Sequence, residues 1–110
     1  MAGLSQDRPQ PSRRELLRRE RQRILEFLAM RGAREVHVFG SIARGEDVGR
    51  SDIDLLIELP DGASVGAELL TVLGLSEELS ELLGVHVDVV TERTLRTDVR
   101  ERALAEAVPL

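Results

Sequence analysis

The sequence predicts an α/β fold in which at least three strands form a sheet, with helices on one face and carboxylates on the other. Three short segments alternate apolar and polar residues with the period of two that is typical of strands. Helical patterns flank these segments and separate the second from the third, as expected of a layered α/β domain. Each strand also has one wholly apolar face, which helices could cover.

The first predicted helix runs from Ser12 to about Met30. The Ser12 hydroxyl can cap its N-terminus, and Gly32 stands just beyond its end. Glu20 and Arg21 interrupt the apolar spacing in its first half. The first turns of this helix are therefore expected to project from the body of the protein.

The strands are predicted at residues 35–40, 52–59 and 85–90. Because successive side chains of a strand point to opposite faces, the apolar residues of each segment line one face. The other face carries three aspartates, which are Asp52, Asp54 and Asp88. It also carries His37 and His86, which are interpreted as partly buried side chains rather than metal ligands or catalytic groups.

Two more helices are predicted from capping and turn residues. One runs from about Ser64 to Leu83, with Gly84 as its stop. The last helix can start at Asp98, where Glu101 would complete a capping box.

The length of 110 residues suggests one domain. Residues 1–11 have little apolar content and are expected to be disordered, so that residues 12–110 would form this domain. The chain has no cysteine, no apolar run of membrane-spanning length and no signal-peptide pattern at its start. A cytoplasmic protein without a membrane partner is therefore expected.

The charge of the chain is distributed unevenly. All 15 basic residues are arginine, and nine of them stand with four acids in residues 1–34, a balance of +5. The other six stand with 16 acids in residues 35–110, a balance of −10, so that the net charge is −5. An arginine-rich arm can bind nucleic acid, but aromatic residues for base stacking make up only 2% of the chain. The arginines are interpreted as a solvated helix face or a surface for a protein partner.

The three aspartates predict a metal site. Asp52 and Asp54 point to the same side of one strand, about 6.5 Å apart at the backbone, and Asp88 joins them in phase from a later strand. Such carboxylates repel one another unless a cation lies between them, and oxygen ligands suit Mg²⁺ or Mn²⁺. Two such ions can steady the attacking and leaving oxygens of a displacement at phosphorus. The alternative is that these acids only prevent pairing at a sheet edge or cap turns. This interpretation suits a lone Asp-x-Asp pair better than three aspartates on one face of a sheet.

A phosphate-binding turn is predicted just before this strand. Gly40 lets a phosphate approach the backbone, and the turn opened by Ser41 offers free backbone N–H groups and a hydroxyl. Arg44 could neutralise a phosphate oxygen. The alternatives are a plain helix cap for Ser41 and a solvated surface position for Arg44. The turn is not a Walker A loop, because the chain contains no lysine.

The stretch FGSIARGEDVGRSDIDLLIEL, together with the later VHVDVVTE, resembles the DNA polymerase beta nucleotidyltransferase superfamily. It is most similar to the minimal nucleotidyltransferases (MntA-like), the antitoxins of HEPN/MNT toxin–antitoxin pairs, over about residues 24–108. The resemblance implies a polymerase beta-like fold with a small mixed sheet.

The resemblance also implies roles for individual residues. Asp52 and Asp54 would hold two Mg²⁺ ions, and Asp88 would hold the catalytic one and help to deprotonate the acceptor hydroxyl. Gly40 and Ser41 would bind the triphosphate.

The activity so implied is the transfer of AMP from ATP to a tyrosine hydroxyl of a cognate HEPN ribonuclease toxin, which would silence the toxin. One alternative is adenylyl transfer to a small molecule such as an aminoglycoside. Another is an antitoxin that only binds and masks its toxin. Nucleic-acid binding through the arginine-rich helix is a weaker alternative, because the body is acidic and aromatic residues are scarce.

Overall fold

The computed structural model describes residues 12–46 and 51–110, so the prediction of disorder at residues 1–11 lies outside the described residues. The elements follow in the order α1 (Arg13–Met30), β1 (Arg34–Phe39), β2 (Ile53–Glu58), α2 (Val65–Leu83), β3 (Val87–Val90), α3 (Thr97–Glu106) and β4 (Val108–Pro109). None of the helices in these ranges combines the length and hydrophobicity that crossing a membrane requires.

The described strands form one mixed sheet with the order β3-β2-β1-β4. β1 pairs antiparallel with β2 and with β4, whereas β2 and β3 are parallel. This arrangement confirms the predicted α/β fold. The sequence analysis missed β4, because two residues are too few for a periodic pattern and one of them is Pro109, which is tolerated on an edge strand.

The main core lies between the apolar face of the sheet and the helices α1 and α2. Its most deeply buried side chains come from alternate strand positions, as predicted, and from one side of each helix. They are Ile24, Leu28, Ile53, Leu55, Val72, Leu79, Val87 and Val89.

The ends of α1 and α2 agree with the capping predictions. The Ser12 Oγ accepts a hydrogen bond from the Glu15 N–H at 3.0 Å, and the Ser64 Oγ accepts one from Ala67 at 3.1 Å. Gly84 ends α2 in the left-handed conformation, with φ of 73°.

The prediction that the first turns of α1 project from the body is wrong. Leu17 is buried in the main core. Arg13 Nε donates to the Ser51 carbonyl at 3.0 Å, and Arg14 Nη2 donates to the Ile42 carbonyl at 3.0 Å. Long arginine side chains therefore fasten the first turns of α1 to the loop between β1 and β2.

Helix α3 begins at Thr97, one residue before the predicted start, and the predicted capping box is wrong. Asp98 lies inside the first turn, where a carboxylate is favourable next to the free N–H groups, and it accepts a hydrogen bond from Arg96 at 3.1 Å. Ala103 of α3 packs with Phe39 and Leu56 in a second, small core. Leu56 shares the carboxylate face of the sheet, so α3 covers part of this face, whereas the sequence predicted helices on the other face alone.

Two serines of α2 cover the edge of the sheet at β3. The Val87 N–H donates to Ser80 Oγ at 2.9 Å, and the Val89 N–H donates to Ser76 Oγ at 2.8 Å. The hydroxyls in turn donate to carbonyls of α2 one turn earlier. The spacing of four residues on a helix, about 6 Å, matches two residues on a strand.

Candidate active site

The structure brings the three predicted aspartates together on one face of the sheet. Asp52 immediately precedes β2, Asp54 is its second residue, and Asp88 lies in β3. The parallel register places Asp54 directly beside Asp88. Because neighbouring strands lie about 4.8 Å apart, residues in register on the same face have adjacent side chains.

Asp54 lies in the middle of this cluster and is half-buried, whereas 62% of the Asp52 side chain is exposed. The pKa of Asp54 is raised to about 6, chiefly by burial and then by the neighbouring charges of Asp88 and Asp52. His86 and Arg44 oppose this effect only in part. The cluster therefore holds negative charge that the described residues do not neutralise.

Gly40 ends β1 directly above Asp54. A Cβ atom at position 40 would overlap the Asp54 Oδ2 atom and lie 3.3 Å from its Cγ atom. The φ angle of Gly40 is also 75°, a conformation that L-residues avoid. The backbone conformation therefore requires glycine at position 40, and a larger residue there would also displace the central carboxylate. The sequence analysis had given this glycine a different reason, the approach of a phosphate.

The residues after Gly40 form the helical turn that the sequence predicted. The Arg44 N–H donates to the Gly40 carbonyl at 3.1 Å, and the Glu46 N–H donates to the Ser41 carbonyl at 2.8 Å. Ile42 is buried in the main core and anchors the turn. The Ser41 hydroxyl makes no hydrogen bond to any described residue, so it does not act as a cap within residues 12–46 and 51–110.

Arg44 is neither a plain surface side chain nor free in the turn. Its Nε donates to Glu46 Oε2 at 2.5 Å and its Nη1 donates to Glu106 Oε2 at 3.0 Å. The hydrogen bond to Glu46 raises the pKa of Arg44, and Glu106 adds to this effect. Glu106 ends α3, so this pair joins the turn after Gly40 to the helix on the carboxylate face. The sequence offered no signal for a contact between residues so far apart.

His86 was misinterpreted from the sequence. Its side chain is exposed, not partly buried, and its Nδ1 atom lies 3.5 Å from Asp52 Oδ1. Its position two residues before Asp88, on the same face, was the available signal. His37 is partly buried as predicted, with Nδ1 3.2 Å from the Glu35 carbonyl oxygen.

The aspartate cluster suits a divalent cation that also binds a substrate. Among the described residues, no three acidic or histidine side chains are arranged to hold a metal ion by themselves. The cluster nevertheless offers only oxygen ligands, and repulsion from Asp88 and Asp52 helps to raise the pKa of Asp54. Mg²⁺ is commonly bound by one or two carboxylates, several waters and substrate phosphates.

Comparisons with known proteins agree on one family. A family model described as "Nucleotidyltransferase domain" matches residues 21–110. A Methanocaldococcus jannaschii protein named as a protein adenylyltransferase is 39% identical over 88 residues, which cover 80% of this chain and 90% of that protein. The protein adenylyltransferase MntA of Thermococcus cleftensis is 39% identical over 77 residues, covering 70% of this chain and 74% of that protein.

Solved structures share the fold. One of a minimal nucleotidyltransferase is 46% identical, with a TM-score of 0.69, and the match covers 87% of this chain and 94% of that one. A toxin–antitoxin structure with AMP-PNP is 21% identical, with a TM-score of 0.60, covering 79% and 69%. A toxin–antitoxin structure of MntA with HepT is 20% identical, with a TM-score of 0.56, covering 80% and 66%. At these two lower identities the likeness concerns the fold alone.

Proposed function

This chain belongs to the nucleotidyltransferase domain family, and on that basis we propose that it is an Mg²⁺-dependent antitoxin enzyme. It transfers AMP from ATP to a hydroxyl, a tyrosine, of a cognate HEPN ribonuclease toxin and so neutralises that toxin. Relatives named as protein adenylyltransferases support the reaction. The structures of MntA with HepT, and of a toxin–antitoxin with AMP-PNP, support the partner and the nucleotide.

The observation that carries the proposal is the position of Asp54. It lies in register with Asp88, two residues after Asp52, and against the glycine that opens the phosphate-binding turn. A nucleotide whose phosphates follow the turn at Gly40 and Ser41 would place them beside three carboxylates.

The phosphates would be bound by the turn. Its first free N–H groups can donate to the β- and γ-phosphates, as can the Ser41 hydroxyl, which makes no hydrogen bond to a described residue. Arg44 uses Nε and Nη1 for Glu46 and Glu106, and its Nη2 group can donate to a phosphate oxygen.

The transfer needs a base that removes the proton of the acceptor hydroxyl and a cation that offsets the negative charge of the phosphate. Mg²⁺, held by Asp52, Asp54 and Asp88, would supply charge stabilisation for the transferring phosphoryl group. Asp88 accepts the proton of the acceptor hydroxyl, whose oxygen then bonds to the α-phosphorus. The bond from the α-phosphorus to the bridging oxygen breaks, and pyrophosphate leaves.

A labelling experiment tests the proposal. The purified chain is incubated with α-labelled ATP, Mg²⁺ and its co-purified HEPN partner, and the labelled residue is identified by mass spectrometry. We expect AMP on a tyrosine of the partner, and none when Asp54→Asn replaces the wild type. Labelling of an aminoglycoside but not of protein would favour the small-molecule alternative. Protection of cells by Asp54→Asn as well as by the wild type would favour an antitoxin that only binds.

A further inference from the structure

The outer side of α2 exposes an apolar surface that no described residue covers. Leu70 is 72% exposed and Leu73 is 55% exposed, and Leu69 is also exposed. With Gly66 and Glu77 they form a row along the helix, which we call the α2 stripe. A row of exposed leucines on one helix face is typical of a surface that binds another protein.

Two glycines of α2 have no role inside the described fold. A Cβ atom at Gly66 or Gly74 would meet nothing within 4 Å. Each glycine inside a helix costs about 1 kcal/mol relative to alanine. They stand four residues before and after Leu70, so that a second helix could approach the α2 backbone closely on either side of it.

The negative charge around the stripe indicates which kind of partner would bind there. On α2, Glu77 and Glu81 are exposed and form no ion pair with a described residue, whereas Glu68 and Glu78 are paired with Arg93 and Arg31. A second copy of this chain pairing through the same face would bring acid against acid. A partner helix with basic residues beside its apolar face is complementary.

One end of the stripe, at Glu77, borders a groove that leads towards the candidate active site. A groove between α2 and the edge of the sheet is lined by Ser76, Glu77, Ser80, Glu81, His86 and Val87. Glu77 belongs to both the stripe and the groove, and the His86 ring lies 3.5 Å from Asp52. A partner bound on the stripe would therefore reach the edge of the aspartate cluster.

We propose that the α2 stripe is the docking surface for the toxin, which binds it with an amphipathic helix that carries basic residues. This inference rests on the proposed function and deepens it, because docking along the groove would bring the acceptor hydroxyl to the aspartates. The contact is apolar at Leu70 and Leu73 and electrostatic at Glu77.

The first test changes the leucines. The double variant Leu70→Asp/Leu73→Asp is compared with Met30→Asp, which alters an exposed side chain at the end of α1, outside the stripe. Binding to the purified HEPN partner is measured by calorimetry. We expect at least a tenfold weaker affinity for the double variant, an unchanged affinity for Met30→Asp, and unchanged ATP–Mg²⁺ binding for both. Equal toxin affinity of the double variant and the wild type would overturn the docking surface while leaving the proposed function intact.

Substitution of the two glycines separates a loss of toxin binding from a loss of folding. Gly66→Ala and Gly74→Ala should raise the melting temperature of the free chain, because alanine favours the helix. Both should nevertheless weaken toxin binding, because the methyl group separates the two backbones. Unchanged affinity in both variants would overturn the close helix approach on which the proposal depends.

Charge reversal tests the nature of the partner. Glu77→Arg should weaken binding several-fold at low salt and reduce its dependence on salt, whereas Glu101→Arg on α3 should do neither. Sedimentation of the wild type alone is expected to show a monomer. A dimer that Leu70→Asp/Leu73→Asp dissociates would overturn the proposal in favour of a second copy. A wild type that neither binds nor labels the HEPN protein would overturn the proposed function itself.

Discussion

Two carboxylates of this protein are removed from solvent in opposite ways. Glu68 on α2 is only 5% exposed, yet Thr91 Oγ1 donates to its Oε2 atom at 2.6 Å and Arg93 Nη1 lies 3.4 Å from Oε1. Asp54 is less buried, but within the described ranges its nearest charged neighbours include Asp52 and Asp88, and no group donates a hydrogen bond to it. Local partners therefore compensate the buried charge of Glu68, whereas no described residue does so at Asp54, as expected if the proposed metal site lies there.

The largest expected effect is on catalysis at Asp54. Asp54→Asn should lower the rate of AMP transfer by about a thousandfold or more, because a charged ligand at the reacting phosphate is lost. Glu68→Gln, a matched change at the other carboxylate, should leave the rate within about tenfold of the wild type, because Glu68 touches no part of the aspartate cluster. Single-turnover kinetics with labelled ATP would measure both. A similar loss of transfer rate in the two variants would contradict a catalytic role that is specific to Asp54.

The next effect is on stability at Glu68. Glu68→Ala should lower the free energy of unfolding by about 2–4 kcal/mol, because it removes the carboxylate that the Thr91 hydroxyl and the Arg93 guanidinium contact and opens a cavity. Urea unfolding followed by circular dichroism would measure it. Glu81→Ala, at an exposed position on the same helix, is the control and should change stability by about 0.5 kcal/mol or less.

Ligand binding should stabilise the protein through Asp54 but not through Glu68. At a hundred times its dissociation constant, AMP-PNP with Mg²⁺ should stabilise the wild type by about 2.7 kcal/mol. The stabilisation should be much smaller for Asp54→Asn or when EDTA removes the metal, and it should persist in Glu68→Gln. Thermal unfolding with and without ligand provides the measurement. Equal stabilisation with Mg²⁺ and with EDTA would contradict a metal held by the aspartates.

The smallest effect is the pH dependence of stability. The pKa of Asp54 is raised from an ordinary 3.8 to about 6, so folding opposes its ionisation. The resulting cost is fully present above about pH 6, declines as the pH falls, and disappears only below about 3.8, where the carboxyl becomes protonated in the unfolded state as well. Asp54→Asn should therefore be more stable than the wild type by about 1 kcal/mol at pH 7.5, since water screens part of the cost at a half-exposed site. This advantage should decrease below about pH 6 and vanish at about pH 3. Asp61→Asn, at an exposed turn, should give no such crossover.

The sequence predicted those features that depend on near neighbours. The caps at Ser12 and Ser64, the stop at Gly84 and the apolar faces of the strands follow from local spacing. The placement of three aspartates on one face followed from the strand period alone.

The remaining features depend on contacts between distant residues. The pairing of β4 with His37 and Val38, and the packing of Ala103 on Leu56, leave no local pattern. The Arg44–Glu106 ion pair joins residues 62 positions apart, so local spacing could not predict it either. The resemblance to a family supplied the triphosphate role of Gly40, but only the structure revealed its contact with Asp54.

The serines of α2 also restrict how this protein can assemble. An exposed sheet edge normally invites another strand to pair with it, which leads to domain swapping or aggregation. At β3 the two backbone N–H groups that such a strand would use are already bonded to Ser76 and Ser80. A partner arriving at this side cannot extend the sheet and must recognise side chains instead. Replacing both serines by alanine would free the edge, and the first consequence would be strand-mediated self-association rather than unfolding.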